Sequence, residues 1–214
     1  LSGAASDVKT AFERTIALLE DNGAKIKKVK LGSVDAALAV YYVISSAEAA
    51  SNLARFDGVK YGRRASGYRD IAELYTLSRT EFFGDEVKRR IMIGNYVLSS
   101  GYYDAYYLKA SKIRTVIKRE FDAALGCCDA ILSPTAPTVA PKIGAQVDPA
   151  ATYLSDVYTV PVNIAGLPAV SVPVGRSADG MPIGVQAIGK AFCDGDLLDT
   201  ARAIETVTEG CGNA

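Results

Sequence analysis

Between Tyr158 and Gly189 the chain keeps a period of two on either side of one break. Val170, Val172 and Val174 alternate with Ser171 and Pro173; after Asp179-Gly180, Ile183, Val185 and Ala187 alternate with Gly184, Gln186 and Ile188. Alternation of this kind around Asp-Gly predicts a β-hairpin with one apolar face. Pro173 has no N–H for a ladder, so the first strand either lies at a sheet edge or turns that position away from its neighbour. Just before it, Asn163-Ile-Ala-Gly-Leu-Pro168 predicts a helix-like turn closed by Gly166 and Pro168. An apolar hairpin face has to be covered, and the rest of the sequence offers mostly helices to cover it.

Residues 6 to 22 predict a helix that Ser6 can cap, with Val8, Phe12, Ile16 and Leu19 as its stripe and Asn22-Gly23 as its end. Residues 24 to 31 alternate apolar and basic positions and predict a half-exposed, bulged strand whose lysines form a solvated face. Ser33 is placed to cap a long Ala-rich helix from Val34 to about Arg55, nearly uncharged in its middle and therefore buried on more than one side. Glycine-dotted residues 56 to 67 predict a surface loop. Helical spacing returns from Ile71 to Thr80, and again after Gly84, where Asp85 and Glu86 suit the first turn and Val87, Ile91, Gly94 and Leu98 form the inner stripe. A further helix is expected from about Tyr102 to Leu125, then a short buried strand at Asp129 to Ser133 and a proline-limited loop to Ala151. A last helix from Asp196 to Glu209, capped by Asp194 or Asp196, turns Leu197, Ala201, Ile204 and Thr208 inward. Helices and strands mix throughout, which places the chain in the α/β class.

Composition excludes several kinds of chemistry. There is no histidine among the 214 residues, so Ser-His and Cys-His pairs and imidazole acid–base catalysis are closed. Cys127, Cys128, Cys193 and Cys211 have no C-x-x-C spacing, and without histidine a zinc site is not expected. The 24 basic and 24 acidic residues cancel, so no global field draws nucleic acid. No phosphate-binding G-x-x-x-x-G-K-[ST] loop occurs. Apolar runs are too short and too interrupted for a bilayer span, and no basic-then-apolar leader opens the sequence. A cytoplasmic protein without membrane partners is the expectation.

The block from Pro161 to Gly175, with its P-x-N-x-A-G-x-P-A-x-S-x-P-x-G order, and the following Gly180 to Gly189 resemble the amidase signature family. Phe83-Gly-Asp-Glu-Val-Lys-Arg-Arg-Ile91, Leu98 to Tyr107 and Ser133-Pro-Thr-Ala-Pro137 are most similar to the branch holding the A subunits of aspartyl/glutamyl-tRNA amidotransferases. The resemblance implies a mixed β-sheet flanked by helices, with residues 1–214 as the C-terminal part of a single amidase domain. Family members use a Ser-Ser-Lys triad in which a neutral lysine deprotonates a bridging serine beside a glycine-rich loop. That G-G-S-S-G-G stretch and its lysine are not in this sequence, so the catalytic core is expected to lie outside it. Ser45-Ser46 and Ser99-Ser100 read as helix surface or cap instead.

What the resemblance leaves to this chain is the substrate wall. The family branch holds glutamine with a tyrosine, an arginine and an aspartate, and its motifs carry these to Tyr41, Arg90 and Asp156. Singly, each has an ordinary explanation: core filler, helix ion pair, turn residue. Three motifs in the family's order favour the pocket. The resemblance further implies glutamine as substrate, partner subunits of B and C type, and aminoacyl-tRNA reached through a partner. It implies no cofactor on this chain, with ATP and Mg used by the partner subunit. Two alternatives remain at this stage, a stand-alone amidase of the same family and a non-catalytic piece that acts only by association. A charged pair at Arg90 and Asp156 argues against a hydrophobic amide substrate.

Overall fold

The structure, a computed structural model, describes residues 3–145 and 154–209. The chain divides into two compact units: residues up to Leu38 together with those from Arg114 on, and Ala39–Ile113 between them.

In the first unit the predicted hairpin is present as β2 (Ala169–Arg176) and β3 (Pro182–Ile188), antiparallel, with Val172 opposite Val185. Its turn closes through Ser177 N–H to the Met181 carbonyl at 2.8 Å, and Gly180 takes the positive φ that a side chain would resist. β1 (Ile131–Pro134) pairs antiparallel with the far side of β3, so the strand order is β1-β3-β2. The strand that carries Pro173 is therefore an outer strand of this sheet. Pro173 sits beside the register shift of β2, where a missing donor costs least.

One sheet face is covered by α1 (Ser6–Asp21) and α7 (Asp194–Thr208). Leu19, Val172, Val174, Val185, Ala187, Leu197, Ala201 and Ile204 form one buried cluster. Burying a side chain such as Ile204 stabilises the fold by roughly 1.5–3 kcal/mol. All four inward positions expected of the last helix are buried, Thr208 through an Oγ1 bond to the Ile204 carbonyl. The short helix α6 (Val160–Ala165) ends at Gly166, which is left-handed, and delivers the chain into β2 as the Gly-Leu-Pro spacing predicts. Periodicity gives Gln186 no more than an alternating strand position, yet it is buried and bonded. Its amide Nε2 donates to Ser133 Oγ and to the Tyr158 carbonyl, both at 2.8 Å, tying β1 and the entry to α6 onto β3.

Several local expectations are corrected. Residues 24–31 form no strand; they are largely exposed, and a ladder needs a partner that periodicity alone does not supply. Neither Ser6 nor an aspartate caps its helix through its side chain: Ala5 and Cys193 occupy those cap positions. Ser33 precedes a 3-10 turn, Val34–Ala36, and uses its N–H and hydroxyl to donate to the Glu120 carboxylate at 2.9 and 2.8 Å. The helix expected from Tyr102 begins as a π-turn, Asp104–Leu108, before α5 (Lys109–Leu125). Cys211 and the loop beyond Ala145 lie outside the described residues.

The second unit is helical. α2 (Ala37–Leu53) buries Val40, Ile44, Ala47 and Ala50, together with Ser46, which is not a surface residue. The loop from 54 to 70 is pinned by two arginines. Arg64 donates through Nε to the Gly58 carbonyl at 2.7 Å, and Arg79 donates through Nη1 to the carbonyls of Leu53 and Phe56. α3 (Ile71–Phe82) is capped by Asp70, whose carboxylate accepts from the Glu73 N–H at 2.8 Å. α4 (Asp85–Leu98) follows and buries Gly94 and Val97. A β-carbon at Gly94 would overlap the Ser46 carbonyl oxygen, so α2 and α4 meet where only hydrogen fits.

Candidate functional site

The crossing of α2 and α4 sets up a cluster at their facing turns. Arg90 precedes Gly94 by one helical turn, and its guanidinium comes to the tyrosine pair on α2. Nη1 donates to Tyr41 Oη across a long 3.5 Å, and Cζ lies 5.9 Å from the Tyr42 ring centre. The two rings meet edge to face at 5.1 Å and 70°. On its own helix Arg90 donates through Nε to Glu86 Oε1 at 3.0 Å, one turn back. Glu86 also accepts from Arg89 Nη1, at 2.6 Å through its other oxygen. Two residues that stand 49 apart in sequence, Tyr41 and Arg90, are thus brought together.

Arg90 is 29% exposed at its side chain, against 59% for Arg89, so the two adjacent arginines divide into an inward and an outward one. The contact with Tyr41, then that with Glu86, raises the Arg90 pKa further above its already high range. Tyr41 acts most on the titration, whereas the shorter bond to Glu86 fixes the position. For orientation, distance decides. The guanidinium is permanently charged, partly desolvated and held on two sides. Such a group suits a planar anion, a carboxylate above all, because a fork of N–H donors meets both oxygens.

Asp156 belongs to the first unit. It is exposed, and its backbone carbonyl accepts from the Thr159 and Val160 N–H groups at 3.1 and 2.9 Å in the turn leading to α6. Its side chain accepts a 3.5 Å contact from the Ser155 hydroxyl. Two of the serine lookalikes are structural: Ser99 ends α4 with its Oγ on the Tyr96 carbonyl at 2.7 Å, and Ser46 is buried against Gly94. Among the described residues no group of acidic or cysteine side chains is arranged to hold a metal ion, and no helix is long and apolar enough to cross a membrane. Nothing local in the sequence gives Tyr42 a role, and Glu86 stands there only as an acid suited to the helix dipole. The spacing of four between Glu86 and Arg90 is the signal that could have found the pair.

The comparisons with known proteins agree over nearly the whole chain. A model of the Amidase family matches residues 2–198. The glutamyl-tRNA(Gln) amidotransferase A subunit of Neisseria meningitidis serogroup B is 53% identical over 203 residues, 95% of this chain. The protein of the same name from Caldanaerobacter subterraneus is 55% identical over 205 residues. The chain spans 42% of the length of each of these relatives. The crystal structure of the glutamyl-tRNA(Gln) amidotransferase A subunit from Thermotoga maritima superposes with a TM-score of 0.68 at 42% identity, covering 95% of this chain and 39% of that one. A crystal structure described simply as an amidase, 24% identical with a TM-score of 0.72, shares the fold over 95% of this chain and 42% of its own. With its hairpin, its flanking helices and its motifs matched from residue 2 to residue 198, the chain belongs to the Amidase family.

Proposed function

We propose that this chain forms the glutamine-binding wall of the A subunit of a tRNA-dependent amidotransferase, the component that releases ammonia from glutamine. One observation carries the reading: the Arg90 guanidinium, half-buried beside Tyr41 and Tyr42, is anchored by Glu86 and keeps donors for a ligand. Glutamine offers a carboxylate to such a fork, and a stand-alone amidase acting on apolar amides would leave the charge without a partner. The likeness to A subunits at 53–55% identity supports the same assignment. Asp156 is the group the resemblance assigns to the substrate ammonium. That assignment stands on the resemblance alone and is tested separately by Asp156→Asn.

On this reading residues 1–214 are the C-terminal part of one amidase domain, and the Ser-Ser-Lys triad is supplied by the rest of it. The 214-residue chain by itself then turns over no glutamine. Subunits of B and C type are its partners in a cytoplasmic complex, where one of them uses ATP and Mg to activate aminoacyl-tRNA. Ammonia released from glutamine converts it to Gln-tRNA(Gln) or Asn-tRNA(Asn).

The test is Arg90→Lys in the assembled enzyme. Lysine keeps the charge and loses the planar fork, so glutamine-dependent kcat/KM should fall by about 30-fold, on the order of 2 kcal/mol. Amidation driven by free ammonia, which bypasses the glutamine pocket, should persist. A parallel fall of both activities would make Arg90 a structural residue.

A further inference from the structure

Arg90 is held more tightly than a solvated arginine requires. Glu86 takes its Nε with Oε1 at 3.0 Å and is itself pinned through Oε2 by Arg89 at 2.6 Å. Tyr41 Oη lies 3.5 Å from Nη1, and the Tyr42 ring centre lies 5.9 Å from Cζ. Among the described residues no partner takes Nη2. The side-on edge of the fork is therefore occupied at Nε, while the end-on edge, where Nη1 makes only the long contact with Tyr41, keeps Nη2 for a ligand.

We infer that Glu86 is the positioning residue of this site: it turns the end-on edge of Arg90 toward the substrate carboxylate. The inference rests on the reading of Arg90 as the carboxylate-binding group. Glu86 contributes little to stability, since it is 49% exposed and its bonds are helical pairs three and four residues apart. Its effect lies in order. An arginine side chain has many rotamers, and fixing one before the ligand arrives removes that entropy from the cost of binding. The charge count is consistent: two arginines and one glutamate leave a single net positive charge for a single carboxylate.

Charge and position make opposite predictions, which allows a clean test. Were Glu86 only a negative charge, removing it would strengthen the local positive potential and tighten glutamine. As a positioning residue, its loss weakens glutamine. In the assembled enzyme, Glu86→Ala should raise KM for glutamine about 5-fold to 10-fold while kcat changes by less than about 2-fold. Glu86→Gln keeps an oxygen for Arg90 Nε and should recover most of that loss; it also serves where the alanine variant folds poorly. In an Arg90→Lys background, Glu86→Ala should add less than about 2-fold, because the two act through one contact. An unchanged or lowered KM in Glu86→Ala, no recovery in Glu86→Gln, or effects that multiply fully in the double variant would overturn the inference. If Arg90→Lys raises KM and Glu86→Ala does not, only the role of Glu86 fails. If Arg90→Lys leaves KM unchanged, the reading of Arg90 fails and the inference with it.

Discussion

Gly94 on α4 presses against the carbonyl of Ser46 on α2 so closely that a β-carbon at 94 would overlap the oxygen and stand 2.6 Å from Ala50 Cβ. Arg90 lies one turn before Gly94, and Tyr41 lies five residues before Ser46. The contact that brings the helices together therefore also sets the reach between guanidinium and phenol.

Gly94→Ala should destabilise the protein although alanine is the better helix former. Propensity favours alanine by up to about 1 kcal/mol. The overlap is with backbone, which no rotamer change relieves, and overpacking of this kind costs about 1–3 kcal/mol. The expected result is a lower denaturant midpoint and, on the proposed reading, a higher KM for glutamine in the assembled enzyme. A midpoint equal to or above that of the parent would refute the tight crossing.

Gln186→Glu should make stability depend on pH. The buried amide donates to Ser133 Oγ and the Tyr158 carbonyl, and a carboxylate there would face that carbonyl oxygen in a dry place. Burial and lost donors raise the folded-state pKa of the new acid, so the folded form holds its proton more tightly than the unfolded chain. Stability then falls as pH rises above the unfolded value of about 4.3. Gln186→Met, which cannot ionise, should cost about 1–3 kcal/mol at every pH. Parallel pH profiles for the two variants would contradict this.

Tyr96 stacks on Tyr102 with ring centres 4.3 Å apart, and its pKa is pushed up to about 12, first by the neighbouring Tyr102 phenol. An ultraviolet titration should find the Tyr96 phenol ionising above the ordinary range, and Tyr102→Phe should return it toward that range. The sign follows from linkage: the folded state keeps the proton longer, so stability drops as pH rises from the unfolded value of about 10. A titration unaffected by Tyr102→Phe would rule out Tyr102 as the cause.

Cys128 should alkylate more slowly than Cys127. Burial, and then the neighbouring Asp129, raise the Cys128 thiol above its usual range, while its Sγ donates to the Ala124 carbonyl at 3.2 Å. Cys127 is exposed. Mass-resolved labelling at neutral pH gives the order directly, and faster modification of Cys128 would reverse the assignment.

What is legible in the sequence is local. The β2–β3 hairpin, the outer placement of Pro173, the left-handed Gly166 and the buried face of α7 each follow from residues a few positions apart. The strand expected at 24–31 fails because alternation describes two faces of a strand and says nothing of a neighbour. Ser46 reads as surface because small polar residues usually are; its burial is explained only by Gly94, 48 positions later. The pairing of Tyr41 with Arg90 is nonlocal in the same way and is reached through motif resemblance, whereas Glu86 stands in plain view at a helical spacing of four.

The arginine cluster and the sheet share no residue. Tyr41, Tyr42, Glu86 and Arg90 all fall within Ala39–Ile113, while every strand among the described residues falls in the other unit. On the proposed reading the carboxylate end of the ligand is therefore served by one inserted run of sequence and its ammonium end, at Asp156, by the unit that holds the sheet, so the two ends of one ligand answer to separate stretches of the chain.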